Sequence, residues 1–237
     1  MSVETDITSR ISTDIAPAAR PPLHSGDRLT RAEFVRRYAL HPDIKKAELI
    51  DGVVYVASPV RHRQHGKPHS LLVGWIIAYA AATPGIDFSD NATVVLDFEN
   101  EHQPDALLRL EPHHGGRSRV TGDDYIEGPP DLIVEIAASS AAYDLHDKKR
   151  VYARVGVREY LVAQTYEQRV DWWELREGVF TPLPLEADGT LRSRAFPGLW
   201  LEPAALWRGD AAALLAALQR GLADPTHAAF VERLRTT

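Results

Sequence analysis

Three acidic residues stand where acids are expensive: Glu48 in Ala47-Glu48-Leu49-Ile50, Asp105 in Gln103-Pro104-Asp105-Ala106, and Glu135 in Leu132-Ile133-Val134-Glu135-Ile136. A carboxylate in a buried strand costs free energy unless it is paired, hydrogen-bonded or bound to a cation. Hard divalent cations such as Mg²⁺ take oxygen donors, often one or two protein carboxylates plus water and a substrate phosphate. Asp105 and Glu135 supply such a pair if their strands are neighbours. Asp144, Lys148 and Tyr152 are spaced four apart and share one helical face, from which the lysine can reach a cation-bound water or simply pair with Asp144. The structural alternative for each acid is a strand end facing solvent, or an ion pair with an arginine.

The elements that must position these residues can be read from periodicity and punctuation. Thr30-Arg31-Ala32-Glu33 is a capping box opening a helix to about Leu40. Asp51-Gly52 supplies the turn of a hairpin between residues 47–50 and 53–57. Apolar residues at helical spacing from His69 to about Ala82 predict a core helix that stops before Thr83-Pro84-Gly85. Strands are expected over 92–98, 105–110, 131–136 and 159–163, with a helix over 144–155 between the last two. That strand, helix, strand order requires a parallel or mixed sheet with a crossover. A further hairpin (170–175 with 179–183) and a helix over 211–222 capped by Asp210 complete the pattern. We expect an unstructured arm over residues 1–26, one domain over 27–207, and a C-terminal helical extension over 208–237 packed on it.

Composition narrows the function classes. The 237 residues contain no cysteine, which excludes disulfides and thiolate metal sites and points to the cytoplasm. The longest apolar run, Leu71 to Ala82, is too short to span a bilayer. A formal charge of -6 argues mildly against a nucleic-acid coat protein. Positive charge is nonetheless clustered, at Arg61 to Lys67, Arg117 to Arg119 and Lys148 to Arg150, each expected as a solvated face.

The ordered segments Glu48-Leu49-Ile50-Asp51-Gly52, Ser58-Pro59 with His65, Pro104-Asp105 and Pro130 to Ile136 continue with Asp144, Lys148 and Tyr152, then Gly156-Val157-Arg158-Glu159-Tyr160-Leu161-Val162. Together, over about Arg31 to Leu199, this set resembles the Uma-type restriction endonuclease family of the PD-(D/E)XK nuclease superfamily. Any one fragment is weak; their order and spacing carry the resemblance. It implies an α/β (α+β) restriction-endonuclease-like fold, with a central mixed β-sheet flanked by helices and extra antiparallel hairpins. It also implies Asp105 and Glu135 as metal ligands, Lys148 as the signature lysine, and Glu48 as an additional acid near the metal. The simple signature places lysine two residues after the second acid, where this chain has Ala137, so the lysine comes from the following helix, as the Uma-type pattern allows. Where that pattern usually has tryptophan and aspartate around the last strand, this chain has Leu161 and Ala163.

The activity that follows is metal-dependent endonucleolytic hydrolysis of phosphodiester bonds in nucleic acid, with DNA the expected substrate. Asp105, Glu135 and the backbone carbonyl of Ile136 would hold Mg²⁺ or Mn²⁺, Lys148 would orient the attacking water, and Glu48 would hold a second ion or assist proton transfer. Cutting both strands of a duplex takes two sites, so a homodimer is expected. The alternative is a binding or assembly module that keeps the scaffold without the chemistry. Adjacent His113-His114 are expected to point apart on a surface loop, and His65 to make a cap, a supporting hydrogen bond or a substrate contact. Trp172-Trp173 are expected to fill the core with one indole and cover a neighbour with the other.

Overall fold

The structure, a computed structural model, describes residues 20–138 and 140–236. In chain order, α1 (Arg31–Ala39) precedes a hairpin of β1 (Ala47–Ile50) and β2 (Val53–Val56), then α2 (Lys67–Ala81), β3 (Ile86–Asp90), β4 (Val94–Asp97), β5 (Asn100–His102) and β6 (Ala106–Leu110). The short β7 (Arg119–Val120) and β8 (Ile126–Glu127) lead to β9 (Leu132–Ala137), α3 (Ala141–Tyr143), α4 (Lys149–Val155) and β10 (Glu159–Gln164). There follow β11 (Arg169–Arg176), β12 (Val179–Pro182), β13 (Leu191–Arg192), β14 (Trp200–Leu201), α5 (Pro203–Arg208), α6 (Ala211–Leu222) and α7 (Pro225–Thr236).

Two mixed sheets carry the architecture. The central one has the order β12-β11-β10-β9-β6-β3, and the other β2-β1-β5-β4-β8-β7. The central pair β9 and β10 is parallel, with Glu135 opposite Val162. A parallel pair needs a crossover, and here it is helical. Residues 144–148 wind as a wide π turn that runs into α4. The helix ends at Gly156, whose left-handed φ of 90° lets its amide close on the Tyr152 and Ala153 carbonyls. Asp51 and Gly52 take positive φ of 46° and 73°, the geometry a two-residue hairpin turn demands.

Strand alternation then sorts the central sheet into two faces. Leu132, Val134 and Ile136 join Leu161, Trp172, Trp75 and Tyr79 in the principal core. Ile133 and Ala137 face the other way, against Tyr152, Tyr160 and Trp173. Trp172 and Trp173 are thus both buried, on opposite faces, and the expectation of one indole spare to cover a neighbour fails. Lys149 caps the Trp173 ring at 3.6 Å.

Of the expected N-terminal arm, residues 1–19 lie outside the described residues. From residue 20 onward the chain is held: Leu23 is buried and the Gly26 amide donates to Val54 O at 2.8 Å. At the other end, Leu214, Leu218, Phe230 and Leu234 belong to the same core as Trp75, which makes α6 and α7 integral to it.

Candidate active site

The seam between the two sheets gathers the acids. Glu48 lies on β1, Glu135 on β9, and Asp105 in the link 103–105 by which the chain leaves β5 in one sheet and enters β6 in the other. Pro104, without an amide proton, suits a residue that leaves the ladder. Asp144 and Lys148 enter from the π turn, a helical irregularity often found at functional sites. Register places Ile136 beyond the last β9 residue paired to β6, since Ala106 lies opposite Val134. Glu48, Asp105, Glu135, Ile136, Lys148 and Asp144 all line one cleft of about 720 Å³.

Within the cleft, Lys148 Nζ sits 2.9 Å from Glu48 Oε2, 2.9 Å from Glu135 Oε1 and 3.4 Å from Asp144 Oδ1. Only 2% of its side chain is exposed, so the Lys148 to Arg150 cluster is not simply a solvated face. Tyr152 OH donates to Glu135 Oε1 at 3.2 Å, and Gln103 N to Glu48 Oε1 at 2.8 Å. Asp105 accepts from Lys46 Nζ at 3.2 Å and from Ile136 N at 2.8 Å, with His65 Nε2 3.1 Å from Oδ2. His69 Nε2, one turn after His65, meets the Asp105 carbonyl at 2.9 Å.

These contacts divide the acids by charge state. Burial pushes the Asp105 carboxyl up, but the His65 contact, Lys46 and the Ile136 amide outweigh it and hold the group well below its usual range. Glu48 is likewise lowered, burial being overcome by Lys148 and Lys46. Glu135 goes the other way: burial, aided by Asp144, Asp105 and Glu48, raises it to about 8 despite Lys148. Burial also raises Asp144, whose Oδ1 has no hydrogen-bond partner. Four carboxyl groups face two ammonium groups, Lys46 and Lys148. The donor set is oxygen-rich, with four carboxyl groups to two lysines, and Asp144 Oδ1 has Lys148 Nζ at 3.4 Å but no hydrogen bond. It fits a hard divalent cation.

All four residues singled out in the sequence, Glu48, Asp105, Glu135 and Lys148, are therefore brought together. Lys46 escaped the sequence reading, although a signal existed: it is two residues before Glu48, and strand alternation puts both on one side. His69 was missed as well; its spacing of four from His65 carried it to the same helical face.

Two mixed sheets, flanking helices and a buried acid and lysine cleft at their seam define a nuclease-type scaffold. The family described as "Uma2: Putative restriction endonuclease" matches residues 31–204, and the chain belongs to that family. Among solved structures, "a putative nuclease belonging to DUF820" from Anabaena variabilis shares the fold, with a TM-score of 0.57 and 14% identity over 74% of this chain and 97% of that one. No curated protein sequence matches the chain.

Proposed function

We propose that the chain is a metal-dependent endonuclease that hydrolyses phosphodiester bonds in DNA, with Asp105 and Glu135 as the carboxylate ligands of Mg²⁺ or Mn²⁺. The observation that carries this reading is the excess of four buried carboxyl groups over two lysines in one cleft, with Lys148 in their midst. The Ile136 carbonyl, beyond the end of the β6 ladder, and Glu48 are the further donors within the cleft. When bound, the ion would polarise the phosphate and acidify a water.

The chain's own groups do the rest. Lys46 and His65 hold Asp105 ionised and fix its orientation. Lys148 serves as counter-ion to Glu48 and Glu135, and its ammonium would orient a water and stabilise charge growing on phosphate oxygens. Glu48, fixed by the Gln103 amide, would hold a second ion or assist proton transfer. Arg61, exposed and lining the cleft, supplies positive charge for a phosphate backbone that the net charge of -6 would otherwise repel. Duplex cleavage calls for two such sites, hence a homodimer. A chain without cysteine suits the cytoplasm, and among the described residues no helix is long and apolar enough to cross a membrane.

The test is cleavage of supercoiled plasmid, single-stranded DNA and RNA with Mg²⁺, Mn²⁺ or EDTA, comparing the protein with Asp105→Ala and Glu135→Ala. Cutting of DNA that requires the ion and disappears in both variants is the expected result. Cutting of RNA alone would replace the substrate and keep the site. No cutting of any substrate, with metal affinity unchanged in both variants, would overturn the catalytic assignment and leave a binding module on this scaffold.

A further inference from the structure

A second set of donors lies at the opposite end of β6 from Asp105. The six residue steps from Asp105 to Glu111 separate the two places by about 20 Å of extended chain. Pro112–His114 form a single 3-10 turn directly after the strand. The adjacent histidines, expected to diverge, are instead held with ring centroids 4.1 Å apart. The reason is local: a tight 3-10 turn, closed by Gly115 at φ 82°, brings both rings round to the side of Glu111. His113 Nε2 is 3.1 Å from Glu111 Oε2. One donor atom from each of Glu111, His113 and His114 lies within 4.8 Å of the other two.

The turn is built to stay in place. The Glu111 amide bonds Gly85 O at 3.1 Å, while the His114 and Gly116 amides both return to Glu111 O, at 2.8 and 3.1 Å. Gly85 has no side chain to obstruct the His114 ring that packs over it, and a Cβ there would collide with that ring. His114 Nδ1 is buried without a hydrogen-bond partner, so this ring has a nitrogen that the protein leaves unsatisfied.

We infer that Glu111, His113 and His114 form a second cation site, selective for a zinc-class divalent transition ion, in the turn that follows β6. Two imidazoles and one carboxylate suit Zn²⁺ or Co²⁺, with water completing the shell, and they suit Mg²⁺ poorly. The site is structural and separate from the proposed nuclease cleft, whose donors are all oxygen.

The experiment uses the full chain, free of any tag and stripped with chelator, titrated with Co²⁺ in saturating Mg²⁺ while its visible absorption is followed. One Co²⁺ with nitrogen-donor bands is expected, retained in Asp105→Asn and at least about tenfold weaker in His113→Gln. The His113 side chain is 68% exposed, so this substitution leaves the fold standing. Glu111→Gln is expected to weaken binding likewise. The inference is overturned if the unsubstituted protein shows no such band, if the band is lost in Asp105→Asn, or if His113→Gln binds Co²⁺ as tightly as the unsubstituted protein. None of these results bears on whether the cleft cuts nucleic acid, which the EDTA and Asp105→Ala comparisons decide.

Discussion

Glu135 and Glu159 are both buried, on the neighbouring parallel strands β9 and β10, yet they face opposite sides of the central sheet and live in opposite chemistries. Glu159 accepts four hydrogen bonds and meets no base: Trp172 Nε1 and Ser193 Oγ donate to Oε2 at 3.0 and 2.7 Å, and the Arg194 and Ala195 amides to Oε1 at 2.6 and 2.8 Å. Its oxygens are saturated by the segment 193–195, which it pins under β10. Glu135 instead shares one lysine with two other acids and opens onto a cleft. A buried carboxylate surrounded by donors is finished structure. One surrounded by other carboxylates is waiting for positive charge, and that difference separates scaffold from site more sharply than burial does.

The comparison is broken most directly at Lys148. Lys148→Met leaves Glu48, Glu135 and Asp144 without their shared cation, and removing one partner of a buried ion pair costs about 3–5 kcal/mol. Urea denaturation without divalent ions is expected to show a loss of that size, and added Mg²⁺ to restore part of it. No restoration would mean that the carboxylates do not act together as a cation site.

Next in size is the split between activity and stability. Glu135→Gln keeps the shape and the neutral form that burial already favours, so unfolding free energy at pH 7 should change by no more than about 1 kcal/mol. Cleavage should fall by about a hundredfold or more. Glu159→Gln should do the reverse: the amide NH₂ brings two protons into a pocket lined by four donors, costing about 1–3 kcal/mol, while cleavage below the melting temperature persists. Equal effects of the two substitutions on either measurement would erase the distinction.

The two acids also make a pH prediction. Burial raises Glu159 to about 7 against the pull of its Ala195, Ser193, Arg194 and Trp172 donors. Between the unfolded value near 4.5 and about 7 the unfolded chain releases this proton while the folded chain keeps it, so stability falls as pH rises through that window. Holding the proton from near 4.5 up to about 7 corresponds to a decline on the order of 3 kcal/mol. Denaturation midpoints from pH 4 to 8 should decline less steeply in Glu159→Gln than in the unsubstituted protein, and the cost of the substitution should shrink toward pH 8.

Much of this contrast was legible in the chain, and the gaps have physical causes. The Asp51-Gly52 hairpin and the Asp210 cap, whose side chain accepts from Ala213 N at 3.0 Å, are local and appear where expected. Glu48, Asp105 and Glu135 stood out because charge in an apolar run is anomalous whatever the fold. By contrast β5, with the sequence Asn-Glu-His, has no apolar signature and is buried only because distant groups satisfy it: Asn100 Oδ1 takes the Asp51 amide at 2.8 Å, and Glu101 pairs with Arg31 at 2.7 Å. Without β5 the second sheet could not be read, nor could the seam that brings Glu48 to Asp105. Glu159 stands in the sequence only as the start of an expected strand and as part of a family segment; its burial is not legible there because its four donors are 13 to 36 residues away in the chain.

The smallest expected effect sharpens the comparison at the level of one donor each. Tyr152→Phe removes the hydroxyl from Glu135 Oε1, and Ser193→Ala removes one of the four donors to Glu159. Each deletes one hydrogen bond to a buried acid, a loss of about 1–2 kcal/mol in thermal or urea unfolding, and Ser193→Ala should cost more because its Oγ also accepts from the Phe196 amide at 2.8 Å. Only the first touches a group proposed to bind the ion. Losing the hydroxyl makes the Glu135 carboxylate still less favourable, and a metal ligand must be deprotonated to bind. The pH at which Mn²⁺ half-saturates the protein should therefore move upward in Tyr152→Phe and stay in place in Ser193→Ala. A shift in both, or in neither, would mean that the donors around these two glutamates do not separate a cation site from a scaffold.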